Sequence, residues 1–566
     1  MVQESSRKRR SLLFLSTLIS ACAEKQESQA PAEPSTKSAS FLVDITGDLG
    51  LPDSIPGWPD GRYQLREIMG PGVAVFDADG DGRLDLLSCV CPPPDQPAAA
   101  VKNRLYRQLE DGSFADVTDA AILENTGFGQ GVAVGDVDND GDPDLYFANF
   151  DRDRLFLNRG DGTFSDATDA AGLEEDGWAC SAAFLDYDRD NDLDLYVAEY
   201  VIYDESIHCA NDSLEPEYCG PLAYPPAPDR LYQNQGNGTF LDVSAQAGID
   251  IPGTGLGVVC ADLTGDGWVD IYVANDAQAN HLWVNRKNGT FAEEAYFRGA
   301  AVNRHGKPEA SMGVVVGDCD GDLRLDLFMT HLRGENNTLY RSSGQDAFRD
   351  ASVEARMTPH DLEYTGFGCG MVDFDLDGDL DLAVVNGRVK VGRVHPGAAL
   401  GDFWNRYAEP NFLFLNDGNA CFSNAAHVGG TFTALPEIGR GLAFGDLDRD
   451  GDPDLVVQNY PGPMRVYRND FPRDGRHFLR VRPRTGKREA LGADVIVSAG
   501  GSMYRAVCLA AYSYASSSEP VVHLGVGPAE RVDAIEVLWP DGKRERFPAC
   551  PCDTEVTLSQ GTGESL

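Results

Sequence analysis

Short apolar runs recur along this chain in a fixed order, separated by polar turns, and that order predicts strands. In one copy the Gly-rich run Gly131-Val132-Ala133-Val134 leads into the acidic stretch Asp136-Val137-Asp138-Asn139-Asp140-Gly141-Asp142-Pro143-Asp144. Leu145-Tyr146-Phe147-Ala148, Leu155-Phe156-Leu157-Asn158 and, past a Gly-Asp-Gly turn, Thr163-Phe164-Ser165-Asp166 follow. Runs of this length bounded by Gly, Asp and Asn read as the four strands of one antiparallel unit. The acidic stretch starts again at Asp77, Asp186, Asp262, Asp318, Asp373 and Asp446, so seven copies lie 50 to 76 residues apart. Four-stranded units that cannot bury both faces alone stack as β-propeller blades. The expected fold is all-β: a seven-bladed β-propeller with calcium loops over 41–475, followed by a small C-terminal β-sandwich-like domain over 476–560.

The two ends of the repeat array are complementary. Phe41-Leu42-Val43-Asp44-Ile45-Thr46 has the sequence of a unit's last strand yet precedes the first acidic stretch, while the seventh unit stops after Arg465-Val466-Tyr467-Arg468-Asn469. Strand 41–46 is expected to complete the seventh blade and leave no open sheet edge. A leftover partial repeat is the alternative.

Each acidic stretch places carboxylates at positions 1, 3, 5 and 9 around a turn residue at position 6. Such a loop can converge on one hard cation that takes about six to eight oxygens, as calcium does. An EF-hand is excluded, because its bidentate Glu at position 12 is here Phe147 and the flanks are strands. The predicted ligands are Asp77, Asp79, Asp81 and Asp85; Asp136, Asp138, Asp140 and Asp144; Asp186, Asp188, Asp190 and Asp194; and Asp262, Thr264, Asp266 and Asp270. Three further sets are Asp318, Asp320, Asp322 and Asp326; Asp373, Asp375, Asp377 and Asp381; and Asp446, Asp448, Asp450 and Asp454. Up to seven Ca2+ ions are expected. Asn191 at the third turn tolerates left-handed backbone, whereas Leu323 at the fifth is strained there, so the fifth site is expected to be the weakest. Solvated turns that bind nothing are the alternative, against which stands the cost of clustering carboxylates without a cation.

Charge sharpens this picture. The formal net charge is −43, and the loops, with 31 Asp and four Arg, hold 27 of those negative charges. A nucleic-acid partner is excluded, since its phosphates require a basic footprint. Calcium sites of extracellular modules are usually structural, and that is the reading adopted.

The chain opens with Arg7-Lys8-Arg9-Arg10, an apolar run from Leu12 to Leu18, and Ile19-Ser20-Ala21-Cys22. This is an export signal too short to span a membrane. Its last four residues resemble the bacterial lipobox, which implies a lipoprotein signal over 1–22 and acylation of Cys22. An ordinary secretory signal is the alternative, and general and twin-arginine export both remain open. Residues 23–40, rich in Pro and Ala, read as a tether. The protein is therefore expected to be exported, lipid-anchored to the bacterial cell envelope at the outer membrane or cell surface, monomeric, and in membrane contact only through its anchor.

Long insertions at 90–103, 199–229 and 386–411 fall between second and third strands, on the face opposite the acidic loops. The last gathers Arg388, Lys390, Arg393, His395, Phe403, Trp404, Arg406 and Tyr407, a basic and aromatic segment on an acidic protein. Loops on a rigid scaffold are where binding usually sits, so Arg388, Arg393, Trp404, Arg406 and Tyr407 are candidate ligand contacts; covers over the central channel are the alternative. Of the cysteines, Cys209 and Cys219 share one insertion and are the favoured disulfide pair.

Beyond residue 476 strands continue without acidic loops. Leu491-Gly492-Ala493-Asp494-Val495, His523-Leu524-Gly525-Val526-Gly527 and Val537-Leu538-Trp539-Pro540-Asp541-Gly542-Lys543 resemble the signature stretches of the ASPIC/UnbV domain. With the preceding repeats, which resemble FG-GAP (VCBS) repeats, residues 41–560 are similar to the bacterial branch of the cartilage acidic protein family. The resemblance implies calcium-binding blades like those of integrin α chains, with ligands met on the face away from the calcium loops. The chain departs from the family at Ala511-Tyr512-Ser513-Tyr514-Ala515-Ser516-Ser517-Ser518-Glu519-Pro520 and at Cys550-Pro551-Cys552.

Three functions are open at this point. The favoured one is a surface protein that binds an extracellular protein or glycan. The second is a calcium-dependent polysaccharide lyase or hydrolase acting in the central channel. No nucleophile elbow, zinc-protease motif or phosphate loop is present, and of the nine His only His208, His305, His331 and His395, in connecting segments, merit testing, so no enzyme is expected. The third is a scaffold of an envelope complex docked through 476–560.

Overall fold

Each acidic stretch closes a hairpin. In the unit that opens at Phe128–Gly135, Gly135 pairs with Asp144 at the start of Asp144–Arg152, and the sheet continues through Arg154–Asn158 to Phe164–Asp166. The same antiparallel order runs from Gly255–Ala261 to Phe291–Glu293, from Val314–Gly317 to Phe348–Asp350 and from Gly366–Val372 to Phe422–Asn424. One sheet joins two units, because Asp144–Arg152 outlasts its hairpin and Phe150 pairs with Trp178 at the head of the next unit. The computed structural model describes residues 40–52, 62–91, 102–123, 127–173, 176–344, 346–358 and 360–566. The expected leader, Cys22 and the tether as far as residue 39 lie outside the described residues, as do 92–101 of the first insertion.

First strands are Gly-rich because their backbones converge. A Cβ on Gly131 would collide with Cys180 O, on Gly257 with Met312 O, on Gly313 with Phe367 O, on Gly368 with Arg440 O and on Gly441 with Gly72. Each obstacle belongs to the following unit, and Gly72 belongs to the first. The units therefore close a circuit around an axis, a propeller-like arrangement. Strand Leu42–Asp44 fastens the circuit: Leu42, Val43 and Asp44 pair with Asn469, Arg468 and Tyr467. Thr46 Oγ1 accepts the Val466 N–H at 2.9 Å, as Thr118 and Thr168 accept those of Leu105 and Leu155 at 3.0 Å in their own units. The strand thus does for the last unit what each last strand does elsewhere.

A segment from the far end of the chain fills the axis. Ala511–Tyr512 pairs with Ser516–Ser517, Ser517 lies beside Ala74 in parallel register, and Ser513 bridges Val314. Small side chains let this hairpin fit among the converging strands, and its hydroxyls satisfy their backbone. Ser513 Oγ accepts the Cys369 N–H at 2.9 Å, and Ser517 Oγ donates to Val132 O at 2.9 Å. At the tip the Tyr514 hydroxyl donates to Met69 O at 3.0 Å, and its ring meets Phe367 edge-on at 5.0 Å.

The strands around this hairpin form two sheets. His477–Thr485 lies between Val522–Gly527 and Thr554–Ser559, while Asp494–Ala499 and Arg531–Leu538 centre the other, which ends beyond residue 560 at Glu564–Ser565. Leu479, Val481, Val495, Val497, Ile535 and Trp539 fill the space between, and their cluster runs on into Ala133, Phe184 and Leu193 of the repeats. Residues 40–566 accordingly form one compact unit in which the C-terminal sheets sit directly on the repeats.

Candidate metal centres

Two local rules shape every acidic loop. The position-6 N–H donates to the position-1 carboxylate, as Gly82 to Asp77, Gly141 to Asp136 and Leu323 to Asp318, each at 2.8 Å. The position-9 carboxylate, buried at the base, accepts one N–H from position 2, or from position 3 (Thr264) in the fourth loop, and one from the third strand: Asp144 takes those of Val137 at 2.9 Å and Asn158 at 2.8 Å. Position 6 is left-handed throughout, with φ 107° at Gly141, 71° at Asn191 and 63° at Leu323. Position 4 is left-handed too, with φ 66° at Arg189, 60° at Leu376 and 61° at Arg449. Strain is therefore shared among loops rather than special to the fifth, where Asp318, Asp320 and Asp326 converge as the corresponding residues do elsewhere.

The convergence involves positions 1, 3 and 9. One carboxylate oxygen from each of Asp77, Asp79 and Asp85 lies within 4.8 Å of the others, and the same holds for Asp136, Asp138 and Asp144, Asp186, Asp188 and Asp194, and Asp373, Asp375 and Asp381. Position 5 is occupied differently: Asp81, Asp140, Asp190, Asp266, Asp322, Asp377 and Asp450 each accept the N–H of position 7 at 2.8 to 3.1 Å and hold the turn.

The donor chemistry fits a hard divalent cation. Asp79 Oδ1, Asp188 Oδ1, Thr264 Oγ1, Asp320 Oδ1 and Asp375 Oδ1, all at position 3, are buried without a hydrogen-bond partner, as is Asp446 Oδ1 at position 1. A desolvated oxygen with no donor is costly, and the same carboxylate atom in four loops, with a hydroxyl in its place in a fifth, points to a shared missing charge. Burial, reinforced by neighbouring carboxylates, lifts Asp136 to about 6 and Asp85, Asp186, Asp270 and Asp446 to about 7. Calcium, if bound, would be held by positions 1, 3 and 9 and would neutralise these groups.

The C-terminal sheets lie over this loop side and bring cations to it. Arg488 Nη2 donates to Asn191 O and Lys487 Nζ to Asp140 O, both at 2.9 Å; Arg505 Nη1 donates to Leu323 O at 2.9 Å, and Arg476 pairs with Asp375 at 2.9 Å. Arg480 stands 3.5 Å from Asp446 and 2.8 Å from Glu519. Between these sheets and the first, second and last loops is a polar cavity of about 810 Å³.

On the opposite side the insertions fold over the axis. Three of the five candidate contacts are interior: Arg388 is 6 % exposed, Trp404 7 % and Tyr407 0 %. Arg388 is paired at 2.7 Å with Glu409, itself fully buried, and its guanidinium also reaches His395 at 2.8 Å. Trp404 and Tyr407 pack with Phe403, Tyr218 and Tyr514 into an apolar cluster that meets the hairpin tip. Arg388, Trp404 and Tyr407 are thus structural; only Arg393 and Arg406 remain exposed. His331 is buried against Ser311 at 3.1 Å. Cys209 and Cys219 form a disulfide, while Cys180, Cys260 and Cys369 are buried thiols.

Sequence reasoning passed over one recurring residue. The carboxamide ending every third strand except Thr338–Ser342, which ends in a serine, donates to the position-2 carbonyl of the preceding unit: Asn158 to Ala78, Asn234 to Val137 and Asn416 to Cys319 at 2.8 Å, Asn285 to Tyr187 at 2.9 Å, and Asn469 to Phe374 at 3.1 Å. Gln108 closes the series on Leu447 at 2.8 Å. The signal was in view, as an Asn ending Leu-Phe-Leu-Asn158 and its counterparts.

Residues 77–147, 136–197, 222–273, 262–329 and 318–384 match the family described as FG-GAP-like repeat, and residues 483–565 match that described as ASPIC and UnbV. The chain belongs to the FG-GAP-like repeat family. The chain is also similar to cartilage acidic protein 1 of Mus musculus, 27% identical over 320 residues, which are 53% of this chain and 44% of that protein. The Homo sapiens counterpart is 26% identical over 320 residues, 53% of this chain and 43% of that protein. This FG-GAP-like chain thus spans less than half the length of the curated relatives it matches. Among solved structures, YCF48 bound to D1 peptide aligns with TM-score 0.41 and 8% identity, covering 77% of this chain and 96% of that one. An Agrocybe aegerita lectin recognising non-reducing terminal N-acetylglucosamine aligns with TM-score 0.36 and 16% identity over 64% of this chain and 82% of that one.

Proposed function

We propose that this chain is a seven-bladed, calcium-stabilised propeller of the cell envelope, held there by a lipid on Cys22, that binds an extracellular protein or glycan on its insertion side. One observation carries the reading: the loop side, with its orphaned position-3 oxygens, is taken up by the chain's own C-terminal sheets. The insertion side is what is left for a partner. A polysaccharide-active enzyme would need the axial channel, and residues 511–517 occupy it, which favours binding over catalysis there.

Thermal unfolding of residues 23–566 in calcium, magnesium and chelator tests the metal claim, because a ligand of the native state alone raises the melting temperature. A large calcium-specific rise is expected; equal curves in calcium and chelator would overturn it. Partner capture from envelope extracts by the protein and by its Arg393→Glu, Arg406→Glu variant tests the side. Reduced capture by the variant is expected, and unchanged capture would point elsewhere.

A further inference from the structure

Beneath the insertions, away from the acidic loops, lies a cavity of about 230 Å³. Its walls are mostly apolar, with Met69, Met312, Leu332, Phe367 and Pro221 among them, and the Cys209–Cys219 disulfide anchors the stretch 219–222 that forms one side. Two acids stand in this apolar surround. Asp276 accepts the Tyr200 hydroxyl at 2.7 Å, and Glu335 accepts the Ala310 N–H at 2.9 Å. Lys390 is the single cationic side chain among the lining residues, and it is exposed.

We propose that this cavity binds an organic cation, an ammonium group on an apolar alkyl or aryl body, with the body against the Met, Leu and Phe walls and the ammonium on the carboxyls of Asp276 and Glu335. The proposal rests on the insertion side being the binding side. Other chemistries fit the walls less well. An anion meets two carboxyls and an acidic protein. A sugar leaves most of its hydroxyls facing apolar wall, where an unmade hydrogen bond is costly. A purely apolar guest would desolvate both acids without pairing them. Two carboxyls against one lysine leave room for one added positive charge. Burial pushes Asp276 up to about 6 and Glu335 to about 7, so both gain from a cation beside them. The volume is adequate, since a cavity of about 150 Å³ already takes a benzene.

The full exported chain, saturated with calcium, is titrated calorimetrically with phenethylammonium, 2-phenylethanol and phenylacetate. The ammonium is expected to bind at least about tenfold more tightly than the alcohol, a difference of about 1.4 kcal/mol, and the carboxylate not at all. D276N/E335Q should abolish that preference. L222R adds a cation at the rim, where Leu222 is 70% exposed and the fold is not at stake, and should weaken the ammonium about tenfold. A peptide with one lysine between leucines, compared with its acetyl-lysine form, separates the sources: saturable, acetylation-sensitive binding of the peptide makes the natural ammonium part of a polypeptide, and binding of phenethylammonium alone makes it a small molecule. Equal affinity for ammonium and alcohol, or no response to D276N/E335Q, overturns the proposal. The insertion-side reading fails separately, through unchanged capture by the Arg393→Glu, Arg406→Glu variant.

Discussion

At the end of every third strand except Thr338–Ser342 a single carboxamide ties one unit to the one before. Replacing Asn234 with Leu keeps the branched shape and removes its donated bonds to Val137 O at 2.8 Å and Leu193 O at 3.1 Å, together with the Gly236 N–H bond that its Oδ1 accepts at 3.0 Å. Buried carbonyls left without a donor cost on the order of 1–3 kcal/mol each, so the urea midpoint should fall, and by the same amount in calcium as in chelator. Asp138→Ala should behave in the opposite way: calcium titration loses one equivalent while stability in chelator hardly changes. At this scale the sequence was readable where the chemistry is local. Positions 1, 3 and 9 converge because nine residues suffice to bring them together. Left-handed backbone at Arg189, Leu376 and Arg449 was not readable, since nothing in those residue types calls for it. Arg388, Trp404 and Tyr407, named as candidate ligand contacts, lie buried, and a basic, aromatic segment looks the same whether it faces water or folds inward. The acid that buries Arg388 was nonetheless present in the same segment, at Glu409.

Among the elements, the hairpin through the axis has the greatest reach. Tyr514→Ala removes its bond to Met69 O and its contact with Phe367, and truncation of a buried aromatic costs about 3–5 kcal/mol; the melting temperature should drop accordingly, with calcium stoichiometry unchanged. Strand positions in 476–560 were legible from alternation. The destination of residues 511–517 was not, because their partners at Ala74, Val132, Val314 and Cys369 lie in four different units, and only convergence at the axis brings these together. The departure of this stretch from the family pattern makes physical sense in place: Ala and Ser are what fits between backbones that already exclude a Cβ.

For the whole molecule, the repeat of acidic loops announced the circuit, and the net charge announced a counter-ion. What stayed hidden was that part of the counter-charge is internal. Arg488 and Arg505 sit on strands of the C-terminal sheets, Arg476 just before one and Lys487 in a turn between two, and all four meet loops far away in sequence, so no window of the chain shows them together. Calcium removal should therefore lower the melting temperature without unfolding the protein at low temperature, and added salt should recover part of the loss by screening the exposed carboxylates; complete unfolding in chelator at 20 °C would contradict this division of charge. Deleting residues 40–46 should expose the edge of Met464–Asn469, and unpaired edges recruit other chains, so light scattering should report a larger mass for the deletion variant than for the intact protein.

The clasp at Leu42–Asp44 also sets an order in time. A chain made from its N-terminus holds one half of its fastening almost from the start and must wait until Tyr467–Asn469 emerge before using it. Only later does the hairpin at 511–517 emerge, after every strand of the ring it enters. A chain cut short between residues 470 and 508 would be able to close its ring but would enclose an empty axis, its glycine-lined backbones facing water where Ala515 and Ser517 belong.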